Sequence, residues 1–134
     1  MSRSKIMIVE DDQELADLLK IRIEALGYDP LVAKRGDEAL TLAHRERPKI
    51  TILDIFLPDM DGLTILKRMK APIDIDTGKS SVTKDIPVIV ITGKAPMIEN
   101  MTRVEGAVDF FVKPIDMGKL EARINQLMKQ VKNG

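Results

Sequence analysis

Short apolar runs rich in β-branched residues alternate along this chain with stretches whose apolar positions recur every three or four residues. Ile6-Met7-Ile8-Val9 is apolar without interruption, the pattern of a strand covered on both faces. Leu15, Leu18, Leu19, Ile23 and Leu26 then fall at helical spacing, and Gly27 stops that helix. A second strand is expected around Pro30-Leu31-Val32-Ala33. The helix after it, from Gly36 to Arg45, carries Ala39, Leu40 and Ala43, and Pro48 bars its continuation. Ile50-Thr51-Ile52-Leu53 predicts a third strand ending at Asp54, and Leu63, Leu66 and Met69 mark a third helix from Leu63 to Met69. Val88-Ile89-Val90-Ile91 is the most strand-like segment and runs into Thr92-Gly93. Ile98, Met101 and Val104 predict a shorter fourth helix. A last strand from Val108 to Val112 leads to Lys113-Pro114. The final helix aligns Leu120, Ile124, Leu127, Met128 and Val131 on one stripe.

Five strands alternating with five helices imply an α/β fold: a parallel sheet, right-handed crossovers and helices on both faces. One segment departs from this alternation. Ala71 to Asp85 is a polar run of 15 residues with Pro72, Gly78, Ser80 and Ser81 and no clear periodicity, long for a connection in a compact α/β domain. It is expected to be a solvated loop without an assigned role. Asp74-Ile75-Asp76-Thr77-Gly78 opens like a calcium-binding loop, but the third ligand before the glycine and the later Glu are missing.

A length of 134 residues suits one domain, taken as 1–134. With 44% hydrophobic and 31% charged residues the chain is a folding sequence, not a disordered one. Lys+Arg and Asp+Glu balance at 21 each, so no field of one sign favours nucleic acid. Having no cysteine, it has no thiol nucleophile and no Cys-based metal site. No apolar stretch approaches membrane-spanning length. The expectation is a cytoplasmic domain with neither membrane nor direct nucleic-acid partner.

The chemistry follows from what the strands deliver. In an open parallel sheet the carboxyl ends of the strands share one edge, where ligands bind. Strand one delivers Glu10, Asp11 and Asp12, strand three Asp54, strand four Thr92 and strand five Lys113. Carboxylates within about 4–6 Å of one another repel by several kcal/mol unless one is protonated or a cation lies among them. Oxygen donors without His or Cys suit a hard divalent ion such as magnesium. A lysine and a hydroxyl opposite suit the oxygens of a transferring phosphoryl group, and a carboxylate between the two can be a nucleophile toward phosphorus.

Ile8-Val9-Glu10-Asp11-Asp12, Leu53-Asp54-Ile55-Phe56-Leu57-Pro58-Asp59-Met60-Asp61-Gly62, Val90-Ile91-Thr92-Gly93 and Asp109-Phe110-Phe111-Val112-Lys113-Pro114 resemble, in order, the four signature blocks of the response-regulator receiver family. The likeness runs from about Lys5 to Val131. It implies the flavodoxin-like (βα)5 three-layer sandwich with strand order 2-1-3-4-5. It also implies that Asp54 is the phosphoacceptor. Asp11 would bind Mg2+ directly, Glu10 through a water, and Asp54 and the backbone carbonyl of Phe56 would add ligands. Thr92 and Lys113 would contact the phosphoryl group, and Pro114, in a cis peptide, would shape the following turn. Thr92 and Phe110 would form the switch, with Phe in the place that is often Tyr. Partners implied are a sensor histidine kinase or histidine phosphotransfer protein and a downstream protein meeting the helix-four, strand-five, helix-five face, with a phosphorylation-dependent homodimer one form of output. Asp12 is expected to cap the first helix.

Three other readings compete. A phosphorylation-independent scaffold would not need the full acidic, Thr92 and Lys113 set. An aspartate-nucleophile phosphatase would need an acid/base two positions after Asp54, where Phe56 stands; the chain is therefore not expected to be an enzyme. The third is a receiver cut from a larger DNA-binding regulator; since no helix-turn-helix or basic stripe follows before Gly134, a stand-alone phosphorelay protein is the expectation, with the cut receiver the alternative. His44, among Arg45, Glu46 and Arg47, is expected to be a solvent-exposed helix residue without a partner constellation. The run from His44 to Lys49 is read as a solvated helix end. Met97 and Met101 could be core or partner face.

Overall fold

The computed structural model describes residues 3–93 and 97–133. Ten elements alternate as the sequence predicts: β1 (Lys5–Val9), α1 (Gln13–Ala25), β2 (Asp29–Ala33), α2 (Gly36–Glu46), β3 (Ile50–Asp54), α3 (Gly62–Lys70), β4 (Val88–Thr92), α4 (Met97–Val104), β5 (Asp109–Val112) and α5 (Met117–Asn133). The strands form one parallel sheet in the order β2-β1-β3-β4-β5. This is the flavodoxin-like doubly wound fold.

Alternation of side chains along each strand divides the interior in two. Ile6, Ile8, Ile50, Ile52, Ile89 and Ile91 face α1 and α5, meeting Leu19, Ile23, Leu120, Ile124, Leu127 and Met128. Met7, Val9, Leu53, Val88 and Val90 face the other way, against Ala39, Leu40 and Ala43 of α2 and Ile65, Leu66 and Met69 of α3. Both layers bury apolar side chains worth roughly 1.5–3 kcal/mol each. The three inner strands are therefore buried on both faces, and their runs, broken only by Thr51 before the strand ends, needed no alternating pattern. Among the described residues no helix is long and apolar enough to cross a membrane.

The order 2-1-3 means that β2 lies on one side of β1 and β3 on the other, so the winding of the chain reverses there. Between β1 and β3 lies the topological switch point. Val9 pairs with Leu53 at the last rung, so the residues after β1 and the last residue of β3 emerge side by side.

Helix starts follow local chemistry. Asp12 caps α1, its side chain accepting from the amides of Glu14 and Leu15. Asp61 caps α3 through the amide of Leu63 at 2.9 Å. α2 ends where Arg47 takes a left-handed conformation (φ 47°), one residue before Pro48. Arg45, Arg47 and Lys49 are exposed at this end.

The segment between α3 and β4 is more ordered than its composition suggests. Ile73 and Ser80 form an antiparallel bridge. Between them Asp74 closes a turn, its carboxylate accepting from the amides of Asp76 (2.8 Å) and Thr77 (3.2 Å), with Gly78 at φ 70°. Thr83 Oγ1 donates to Met69 O at 2.8 Å, and Arg68 pairs with Asp76 at 2.8 Å. His44 corrects its expected solitude. Its Nε2 contacts the carboxylate of Asp74, and its Nδ1 lies 2.7 Å from Leu40 O. The lone histidine is the pin that holds this segment to α2.

Candidate functional site: an acidic pocket at the strand ends

Glu10, Asp11 and Asp54 each offer a carboxylate oxygen within 4.8 Å of the others. Their burial differs: Glu10 is 0% exposed, Asp54 3%, while Asp11 is exposed. Asp12, one residue on, turns away into its cap.

The loop from Ile55 to Asp61 holds Asp54 in place. Phe56 N donates to Asp54 Oδ1 at 3.1 Å. Gly62 N donates to Ile55 O at 2.7 Å, and Phe56 and Asp61 form an isolated bridge, so the loop folds back on β3. This requires glycine at 62: a Cβ there would lie 2.5 Å from Ile55 Cα and 2.6 Å from Asp54 O. The Phe56 side chain is turned outward.

Lys113 follows β5, its amide bonded to Thr92 O at 2.8 Å. The Lys113-Pro114 peptide is cis. The ammonium reaches back over the pocket, 2.8 Å from Glu10 Oε1 and 3.3 Å from Asp54 Oδ2. Burial would lower its pKa, but pairing with Glu10 and Asp54 outweighs this and raises it, so Lys113 stays a cation. Burial, together with the Asp54 carboxylate beside it, pushes Glu10 up to about 7 despite Lys113. Thr92 is buried at the end of β4, paired with Val112 of β5. Phe110 is half-buried against the α2–α3 side of the core.

Glu10 Oε1 is buried and, although Lys113 is close, has no hydrogen bond of proper geometry. A buried carboxylate oxygen in that condition, beside two further carboxylates, is a donor set with spare capacity for a hard cation. The residues present fit magnesium.

The sequence located all these strand-end residues, but not three further features. Lys113 leans on Glu10 more closely than on Asp54. Asp61 caps α3. Asp59 caps α2 from across the chain, Oδ1 accepting from Gly36 N at 2.7 Å and Oδ2 from Asp37 N at 3.2 Å. The side chain of Met97 lies outside the described residues, whereas Met101 is 46% exposed and outside the core.

A five-stranded doubly wound sheet with Glu10, Asp11, Asp54 and Lys113 gathered at its switch point is the arrangement expected of a receiver-type signalling domain. The chain belongs to the response regulator receiver domain family, whose model matches residues 6–125. It is 32% identical over 132 residues to "Probable transcriptional regulator ycf27" of Porphyridium aerugineum, covering 98% of this chain and 50% of that protein. It is 28% identical over 127 residues to the alkaline phosphatase synthesis transcriptional regulatory protein PhoP of Bacillus subtilis, covering 94% and 49%. The chain thus spans about half the length of these relatives. In structure it is similar to a CheY-like response regulator receiver domain protein of Methanospirillum hungatei (TM-score 0.83, 27% identity, 99% of this chain and 100% of that one) and to the receiver domain of Francisella response regulator 1452 (TM-score 0.81, 26% identity, 95% and 98%). It is a receiver domain of two-component signalling.

Proposed function

We propose that Asp54 is the phosphoacceptor of a magnesium-dependent switch. The observation that carries this reading is the setting of its carboxylate: one oxygen held by the Phe56 amide, the other 3.3 Å from Lys113, with Glu10 and Asp11 alongside. An Asp54 oxygen attacks the phosphorus of a phosphohistidine presented by a sensor histidine kinase or phosphotransfer protein. The P–O bond forms as the P–N bond breaks, and the imidazole leaves with the electron pair. Asp11, Asp54 and the Phe56 carbonyl would hold Mg2+ directly, with Glu10 acting through water. The ion supplies charge neutralisation for the phosphoryl oxygens. Lys113 stabilises the same oxygens and, on transfer, exchanges its hold on Glu10 for the new dianion.

Thr92 then moves toward the phosphoryl group and Phe110 fills the space it leaves, altering the α4–β5–α5 face that a downstream protein or a second receiver meets. Phe56 stands where a phosphatase would carry its acid/base, so the acyl phosphate is held and the domain is a switch, not a hydrolase. The place of action is the cytoplasm, where a histidine kinase would reach it.

A second reading is favoured by the length of the relatives: the domain as the receiver half of a longer transcriptional regulator, its output face then serving that protein's other half. The test of the main reading is treatment with acetyl phosphate and MgCl2, followed by intact-mass spectrometry. Wild type gains one phosphoryl group, Asp54→Asn gains none. An unmodified wild-type protein would overturn the reading.

A further inference from the structure

α2 lacks a cap of its own. Its N-cap residue, Arg35, makes no side-chain capping bond, and the first two helical amides are satisfied instead by Asp59, 22 and 23 residues away on the loop that follows Asp54. The contact is more than a passing one. Both carboxylate oxygens are used, each by a separate amide. The Gly36 amide is the main reason the Asp59 carboxyl lies below the usual carboxylate range, so it meets the positive end of α2 as an anion. Next to it Met60 lies so close to α2 that a Cβ on Gly36 would fall 2.7 Å from Met60 Cβ.

The loop is thus fastened at two places. Its base is closed by Gly62 N on Ile55 O and by the Phe56–Asp61 bridge. Its crest is moored to α2 by Asp59. Phe56 belongs to the base; its amide holds Asp54 Oδ1, and its carbonyl is assigned above to the cation. Leu57 and Pro58 are all that separate Phe56 from Asp59. The Asp59 mooring therefore bears, through two residues, on the peptide that the Asp61 bridge and Asp54 hold at Phe56.

We infer that Asp59 is a positioning residue for the cation end of the Asp54 site, holding the Phe56 peptide in the orientation that serves Asp54 and Mg2+, and not simply a helix cap. The inference rests on the proposed roles of Asp11, Asp54 and Phe56. It separates two functions that a single Asp→Ala change would merge. Arg35 has the extended backbone of an N-cap (φ −135°, ψ 154°), so Arg35→Ser returns to α2 a cap of its own without restoring the mooring.

Mg2+ affinity by isothermal titration calorimetry and melting temperature are to be measured on wild type, D59A, D59N, R35S and R35S/D59A. Loss of Asp59 is expected to weaken Mg2+ binding about fivefold, the binding equivalent of one helix cap of about 1 kcal/mol. D59N, which keeps one acceptor oxygen, falls between. R35S/D59A regains the melting temperature of R35S but keeps the weakened Mg2+ affinity, and hydrogen exchange at the Phe56 amide is faster in it than in R35S. Wild-type Mg2+ affinity in D59A overturns the inference, whatever its melting temperature. So does recovery of affinity in R35S/D59A, which would make Asp59 a cap alone. If D59A does not fold, D59N and R35S/D59A carry the same comparison. Failure of wild type to bind Mg2+ overturns the site reading beneath; wild-type binding with unchanged variants overturns this inference only.

Discussion

The ammonium of Lys113 lies 2.8 Å from the carboxylate of Glu10, nearer than its 3.3 Å approach to Asp54. Glu10 is the more buried of the two carboxylates, and its pKa is raised to about 7 even so. A raised carboxyl pKa is a stability term with a definite sign. The unfolded chain releases the Glu10 proton near 4.5 and the folded one near 7, so between these values the folded state binds more protons. Stability of the cation-free protein should be greatest below about pH 4.5 as far as Glu10 is concerned, and should fall by roughly 3 kcal/mol as pH rises from about 4.5 to about 7. Urea unfolding of wild type and Glu10→Gln across this range checks it. The difference between them should be flat above about 7 and below about 4.5.

The same proton competes with a metal. Mg2+ affinity should rise with pH up to about 7 and then level, because Glu10 must be ionised to help hold a cation or its water. Calorimetric titration at three pH values reads this directly. Affinity independent of pH would remove Glu10 from the cation's surroundings.

Asp11 is the exposed member of the acidic cluster and forms no ion pair among the described residues. Removing its charge relieves repulsion in the cation-free protein. Asp11→Asn should therefore raise the melting temperature in metal-free buffer by about 2–4 °C, corresponding to roughly 1 kcal/mol. In the same variant, added MgCl2 should no longer stabilise.

A Cβ on Gly62 would meet three backbone atoms of Asp54 and Ile55 within 2.8 Å. Because neither Asp54 O nor Ile55 Cα can move like a flexible side chain, Gly62→Ala should cost about 2–3 kcal/mol or more in urea unfolding. Gly93, with nothing within 4 Å of a built Cβ, is the control: Gly93→Ala should leave stability within about 0.5 kcal/mol.

His44 and Asp74 join α2 to the segment before β4. His44→Ala should loosen that segment without unfolding the domain. Limited trypsin digestion should then cut faster at Lys79 and Lys84 while the melting temperature changes by only a few degrees. Asp74 has its carboxyl held below the usual range, first by the Asp76 amide. Its contribution should persist at neutral pH and be lost as acid protonates it.

How much of this could be read from the chain depends on distance along it. Strands such as Ile6–Val9 and Val88–Ile91 announce themselves because a strand buried on both faces is apolar nearly throughout. Glu10, Asp54, Thr92 and Lys113 stand out because each is the first polar residue after such a run. Contacts between unlike elements left no trace of that kind. Nothing near Gly36 says that its amide bonds to Asp59, and a histidine among charged residues reads as solvated until Asp74 is found opposite. Likewise, sequence placed Lys113 in the pocket without deciding which carboxylate it would prefer. That choice depends on where the ammonium comes to rest across the sheet, which a strand-end position does not reveal.

Ser81 N bonds to Pro72 O at 3.0 Å, just outside the Ile73–Ser80 bridge. The polypeptide therefore leaves α3, makes its excursion and returns to the place where it left before entering β4. Such a segment is a parenthesis in the chain: excising it would leave two ends already adjacent, and lengthening it would strain neither the sheet nor the acidic pocket. Its turn between Asp74 and Lys79 is accordingly a splice point, where a reporter peptide could be carried by the domain with the sheet left untouched.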